Sequence, residues 1–229
     1  MINTIDIIKD LVTNLDLKLN VTSVVTVGTT YKLFTCNTYY LAPQSKVTIN
    51  NVVYTVVSIV NNEYIIVSGA SLPIKGIYSL PAPYFTHGTV KQANEELSME
   101  SDMFKKTPMV FLRRPFSEVF YNGQQSDERN VDLTLYFLTQ ADFEHWQIDS
   151  FDANAIKPMY NLMNAFIAML NNNRYINKAN ISEFRVEEKI KFGIYVNDKG
   201  YENSIFNDTL SGVQLSFSLP IKKNYTCTC

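Results

Sequence analysis

Val213, Leu215, Phe217, Leu219 and Ile221 alternate with Gln214, Ser216 and Ser218 across residues 212–221. Strict period-two alternation over that length is a β-strand with one apolar face, and such a face must be covered by other strands or helices. The chain supplies both. Val131, Leu133, Leu135 and Phe137 alternate with Asp132, Thr134 and Tyr136 over 131–138, and Met109–Leu112 is a short apolar strand. Phe184, Val186, Ile190, Phe192 and Ile194 recur at even spacing over 184–196, ahead of a turn at 197–200. Between these strands, Ile156, Met159, Met163, Phe166, Ile167 and Leu170 form a helical stripe over 153–171, with Pro158 in its first turn and Asn171–Asn173 at its end. Thr139 reads as the cap of a further short helix holding Phe143 and Trp146. Residues 109–229 are therefore expected to form an α+β main domain: an antiparallel sheet with one wet face, packed on the other by two main helices.

The second main helix is the N-terminal segment. Ile5, Ile8, Val12, Leu15 and Leu19 fall at three- and four-residue steps, predicting a helix over 1–20, with Asn3 as cap and Asp6 in the first turn. Its polar face carries as many acids as lysines, which favours packing on the main domain over lying on a membrane. From Val21 the period changes. Residues 21–27, 31–35, 47–49, 52–60 and 64–68 are short β-rich runs, separated by Gly28, Pro43, Asn50-Asn51, Asn61-Asn62 and Gly69. Asn-Asn pairs suit tight hairpins because Asn tolerates positive φ. Residues 21–78 thus read as a small β-barrel-like insertion of five strands. Tyr31, Phe34, Tyr39, Tyr40 and Tyr54 offer stacking platforms for nucleic acid, but only Lys32, Lys46 and Lys75 accompany them, and single-strand binding needs a basic groove as well. Residues 79–108 read as a connector, punctuated by Pro81, Pro83 and Pro108, whose acidic stretch 95–102 is a short helix or a loop.

Composition narrows the function classes. With 229 residues, 46% hydrophobic and 18% charged, the chain is a folded globule and not a disordered tail. A net charge of −2 lacks the basic footprint of a protein that grips phosphates. Cys36, Cys227, Cys229, His87 and His145 are too few and too scattered for a metal centre, so neither metal nor cofactor is expected. His87, followed by Gly88, reads as a turn residue. A hydrolase built on His87 or His145 with Glu144 has neither a nucleophile elbow nor a glycine-rich phosphate loop to work with. Asp6, Asp10 and Asp16 do not fit a signal peptide, and no apolar run reaches the roughly 18 residues of a membrane span. The expectation is a non-enzymatic protein whose work is to bind copies of itself and its neighbours, with no membrane involved.

The order of helix, strand, alternating strand ending Leu135-Tyr136-Phe137-Leu138, central helix and closing strand at 207–215 (Asn-Asp-Thr-Leu-Ser-Gly-Val-Gln-Leu) resembles the tail-terminator or tail-completion proteins of tailed bacteriophages. The phrase Thr107-Pro108-Met109-Val110-Phe111-Leu112, continued by Arg113-Arg114-Pro115-Phe116, is similar to neck proteins of Bacteroidetes phages, crAss-like ones among them. The resemblance covers about residues 85–221 and the N-terminal helix; the 21–78 insertion departs from the minimal family pattern. It implies a cyclic homo-oligomer in the virion, assembled in the bacterial host cytoplasm. Such a ring sits at the head–tail junction or tail end, with portal, neck or tail proteins as partners and at most non-specific contact with DNA in the channel. Phe116 and Tyr121 then suit interface anchors, and Arg113 and Arg114 suit interface salt bridges or contact with passing DNA, a solvated strand end being the plain alternative. The competing expectation is a receptor- or carbohydrate-binding tail fibre or baseplate module presenting exposed Tyr and Trp146.

Overall fold

The computed structural model describes residues 3–98, 106–120, 128–141, 147–196, 202–204 and 210–222. Helix α1 (Thr4–Thr13) begins where the Asn3 side chain accepts from the Ile5 amide at 3.1 Å. It stops well short of the expected residue 20, with the Asn14 side chain bonding back to Asp10. Leu15, Leu17 and Leu19 are buried on alternate residues of extended chain leading into strand β1 (Lys18–Val27). Leu15 and Leu19 satisfy a helical step from Val12 and an extended step with Leu17 equally well. Pairing of Lys18–Val21 with a later strand decides for the extended form.

β1 opens a six-stranded sheet with β2 (Thr30–Thr35), β3 (Lys46–Ile49), β4 (Val52–Val60), β5 (Tyr64–Ser68) and β6 (Gly76–Ser79). Its order is β3-β4-β5-β2-β1-β6, antiparallel throughout and curled into a nearly closed barrel. Asn50 and Asn51 both take positive φ, +51° and +64°, so the β3–β4 hairpin closes on two residues in the geometry that matches strand twist. The sequence signals only five strands because β6 is four residues long and half exposed.

The second sheet starts earlier than residue 109. β7 (Tyr84–Gly88) and α2 (Val90–Ser98) lie in the segment read as a connector, yet β7 pairs parallel with β8 (Met109–Arg113). A parallel pair needs a crossover, and α2 supplies it. There follow β9 (Ser117–Phe120), β10 (Glu128–Gln140), α3 (Ile148–Phe151), a π-helical turn Asp152–Ile156, and α4 (Lys157–Asn172). A 3-10 turn at Lys178–Asn180, then β11 (Arg185–Phe192), β12 (Ile194–Val196), β13 (Glu202–Ser204) and β14 (Leu210–Lys222) complete the order. The sheet runs β11-β14-β10-β8-β7, with β9 also on β10 and β12–β13 as a separate pair. Thr139 caps no helix; it pairs with Ser211 inside β10, and Phe143 and Trp146 lie outside the described residues. The expected strand over 184–196 breaks in two, because Lys191 and Gly193 take φ of +54° and +82°.

α1 and α4 cover one face of this sheet, and their side chains Ile8, Leu11, Leu162 and Phe166 are fully buried with Phe137, Val213 and Leu215. The barrel joins the same core through Leu17, Leu19, Leu33 and Leu41. The opposite face is not uniformly wet. Met109, Phe111, Tyr136, Leu138, Phe192 and Leu210 form a second core beneath Ala93 and Leu97 of α2. Tyr136, expected in solvent, is there 5% exposed, stacked on Phe111 at 5.8 Å between ring centroids. Among the described residues, no helix is long and apolar enough to cross a membrane.

Candidate functional site

The predicted contact residues sit where β8 ends. Gly88 oxygen accepts from the Arg114 amide at 2.8 Å, which holds the chain to the end of β7 and leaves Arg113 and Arg114 exposed. The Arg114 guanidinium lies 5.8 Å from the Phe116 ring centroid, and Phe116 itself is half-buried against the shared core. Phe116 thus backs the Arg114 guanidinium; Tyr121 lies outside the described residues. Beside this corner Arg129, 4% exposed, faces Glu118 at 3.5 Å. Glu118 also accepts the Thr4 hydroxyl at 2.5 Å, so the start of α1 is tied to β9 and β10.

A cleft of about 550 Å³ opens where α1, the barrel loops and α4 meet. Its rim is amide-rich, with Asn14 and Asp16 from the α1–β1 link, Asn37 and Asn62 from barrel turns, and Asn161 and Asn164 from α4. Tyr39 and Met169 add apolar surface. Tyr39 and Asn62 both take positive φ, +44° and +58°, and Asn161 Nδ2 donates to the Tyr39 oxygen at 3.4 Å. Left-handed backbone at a tyrosine is uncommon and holds the loop in one shape. No spacing in the sequence joins these residues, because they come from four separate segments.

The aromatic residues proposed as stacking platforms divide by face. Tyr54 and Tyr40 are 1% and 6% exposed and unavailable to a ligand. Phe34 points outward, opposite Tyr64 on β5, and Lys32 Nζ lies 3.6 Å from the Tyr64 ring centroid and 4.9 Å from that of Phe34. Lys32 thereby lies along the outer face, held over the two rings by a cation–π contact. His87 is not a turn residue but an exposed member of β7, its ring 6.2 Å from that of Phe85; His145 lies outside the described residues. Among the described residues, no three His, Cys, Asp or Glu side chains come together as a metal-binding group.

Two phenols, Tyr40 buried and Tyr84 half-buried, give the fold a measurable titration. Tyr84 and Thr86 of β7 both donate to the Glu96 carboxylate of α2, and Tyr40 donates to the Pro81 oxygen at 2.7 Å. Burial raises both phenols; for Tyr84, pushed up to about 12, the hydrogen bond and charge of Glu96 add to it. The folded state therefore holds these protons more tightly than the unfolded chain. Their contribution to stability is complete below the ordinary phenol value of 10.0 and is lost as pH climbs toward 12. The urea midpoint is expected to be insensitive to these groups below pH 10 and to fall above it. Tyr84→Phe is expected to flatten that fall, and an unchanged slope would show that Tyr84 ionises as freely folded as unfolded.

The arrangement offers three surfaces: an exposed arginine pair at a strand end, an amide-rich cleft, and a barrel face carrying aliphatic and aromatic side chains. Comparison with protein-family models, with curated proteins and with solved structures returns no match.

Proposed function

We propose that the chain is a structural virion protein of a tailed phage. In this reading it repeats as a cyclic homo-oligomer at the head–tail junction or tail end, joins portal or neck to tail, and surrounds the DNA channel. The observation that carries the reading is the β10–β14 pair, in register over thirteen residues and backed on one face by α4, against which α1 packs. A plate of that length, fused through one core to a barrel, is a stiff block that displays edges and loops to neighbours. A tail-terminator-like arrangement belongs to the same proposal, with the first helix and central helix on one face of the sheet and β14 closing it. Ring formation needs two different contact patches per subunit, related by a rotation that closes. Arg113 and Arg114 stand exposed at the end of β8, placed for a neighbouring subunit or for passing DNA. The overall charge of −2 suits a channel through which DNA slides without being held.

The test is absolute quantification of the protein in purified virions against the major capsid protein. About six or a dozen copies per particle is the expected result for a closed ring. Hundreds of copies would make it a shell or tube component, and absence from the particle would remove the proposal.

One observation favours a second reading, a carbohydrate-binding tail module: the cleft combines amides and a carboxylate with the Tyr39 ring, the chemistry that pairs with sugar hydroxyls and faces. A glycan array on the purified chain separates the two readings, because binding lost on Asn164→Leu would support the module and a blank array would remove it.

A further inference from the structure

We propose that the outer face of the barrel docks a second copy of this chain, and that what it receives is the acidic Ile148 turn of that copy. The inference rests on the proposed self-assembly for its partner and goes beyond it in assigning the surfaces.

Exposure picks out the barrel. Eight of the eleven large hydrophobic side chains that stand exposed among the described residues belong to residues 18–79. Strand register places many of the face's residues together. Val25 pairs with Lys32 and Lys32 with Ile66, while Phe34 pairs with Tyr64 and Tyr64 with Val60. Val27, two residues from Val25, extends the same face, and the two valines are 47% and 49% exposed. A contiguous apolar sheet face of this kind on a folded protein marks an interaction surface.

Charge picks out the occupant. Residues 18–79 hold Lys18, Lys32, Lys46 and Lys75 against Glu63 alone, a net of +3; with −2 for the whole chain, the remainder carries −5. The complement of the barrel is therefore the rest of the same polypeptide. Among the described residues of that remainder the most exposed large hydrophobic is Ile148, 86% exposed, and exposed Asp149 and Asp152 follow it one and four residues on. An apolar knob with two carboxylates matches a face whose four central strands carry two cations, Lys18 at the start of β1, paired with Asp16 at 3.0 Å, and Lys32, lying flat across Phe34 and Tyr64. DNA is a poorer match: a phosphate backbone needs several cations and gains nothing from valines.

The two patches lie close together on one chain, since Asn61 Nδ2 at the end of β4 donates to the Ala153 oxygen beyond α3 at 3.1 Å. They remain different patches, so the contact is knob to face, repeated around a ring or exchanged across a two-fold axis.

The experiment is native mass spectrometry and sedimentation velocity on the full chain, with circular dichroism and thermal melts as folding controls. Val25→Glu, Lys32→Glu and the double variant Asp149→Lys/Asp152→Lys all change surface groups and are expected to keep the wild-type spectrum. Each is expected to weaken self-association at least about ten-fold. An equal mixture of Lys32→Glu and Asp149→Lys/Asp152→Lys is expected to reassemble, because every contact between unlike copies again pairs opposite charges. Folded variants that assemble like wild type would overturn this assignment while leaving the ring proposal in place. A wild-type chain that stays monomeric at all concentrations would overturn both. A wild-type dimer, broken by the same variants and restored by mixing, would support the docking surface and remove the ring.

Discussion

Gly212→Ala is expected to leave little or no folded protein. A Cβ built at this position would lie 1.9 Å from the Phe137 oxygen, 2.9 Å from the Phe137 carbonyl carbon and 3.1 Å from the Leu138 Cα. All three obstacles are backbone, so no rotamer change relieves them. The backbone cannot retreat either, because Gly212 is paired on both sides in β14, with Leu138 of β10 and Lys189 of β11. Ordinary overpacking by a methyl group costs about 1–3 kcal/mol, and a rigid obstacle on both flanks puts this case above that range. Total stabilities of about 5–15 kcal/mol leave little margin for it. The useful control is Gly28→Ala, where nothing lies within 4 Å but φ is +61°, so only the left-handed penalty of about 1–2 kcal/mol is expected. Urea unfolding followed by circular dichroism reads both. A Gly212→Ala protein with a wild-type midpoint would mean that β10 and β14 do not approach as closely as described.

That glycine also shows what a sequence yields and what it withholds. The alternation of Val213 to Ile221 and of Val131 to Phe137 names two strands and their buried faces, and both are found, extended to Leu210–Lys222 and Glu128–Gln140. Five of the six barrel strands are equally legible, since Asn50-Asn51 and Gly28 mark hairpins through backbone geometry that few residues tolerate. Need for space is another matter. Gly212 has an ordinary strand environment in sequence, and only the neighbouring strand reveals why no side chain fits. Tyr136 fails for the same reason: period two assigns it to the face away from α4, but says nothing of α2 arriving to cover that face. The β7–α2–β8 crossover hides because β7 reads Tyr-Phe-Thr-His-Gly, with no alternation, and is recognised only by its partner.

The candidate surfaces follow the same division. Arg113 and Arg114 stand exposed at a strand end, as their place beside Pro115 suggests. Phe34 is visible as an aromatic in a strand, but its conjunction with Tyr64 depends on β2 pairing with β5, thirty residues on and not its sequence neighbour. The cleft is less legible still, because its rim draws on four segments and its amides differ in nothing from those spread along the chain.

Removal of residues 1–13 is expected to convert the chain into an aggregating species. Within α1, Ile7, Ile8, Leu11 and Val12 are each 3% exposed or less, and Ile5 is 9% exposed. At about 1.5–3 kcal/mol for each such side chain, their burial is comparable with the whole stability of a domain. The loss is also shared, because α1 packs against α4 and β7 and its core is continuous with the barrel through Leu17 and Leu19. Glu118 loses the Thr4 hydroxyl at the same time, beside a buried Arg129. Size-exclusion chromatography with dye binding to exposed apolar surface is the first measurement, and a monomeric, dye-silent truncation would show that α1 is dispensable. Ile8→Ala is the graded companion, expected to cost about 2–5 kcal/mol at a fully buried site while leaving the chain able to fold. Because one core serves both sheets, that variant is expected to unfold in a single transition at lower urea. Two separated transitions, one for the barrel and one for the larger sheet, would instead mean that the sheets stand independently and that α1 supports only the second.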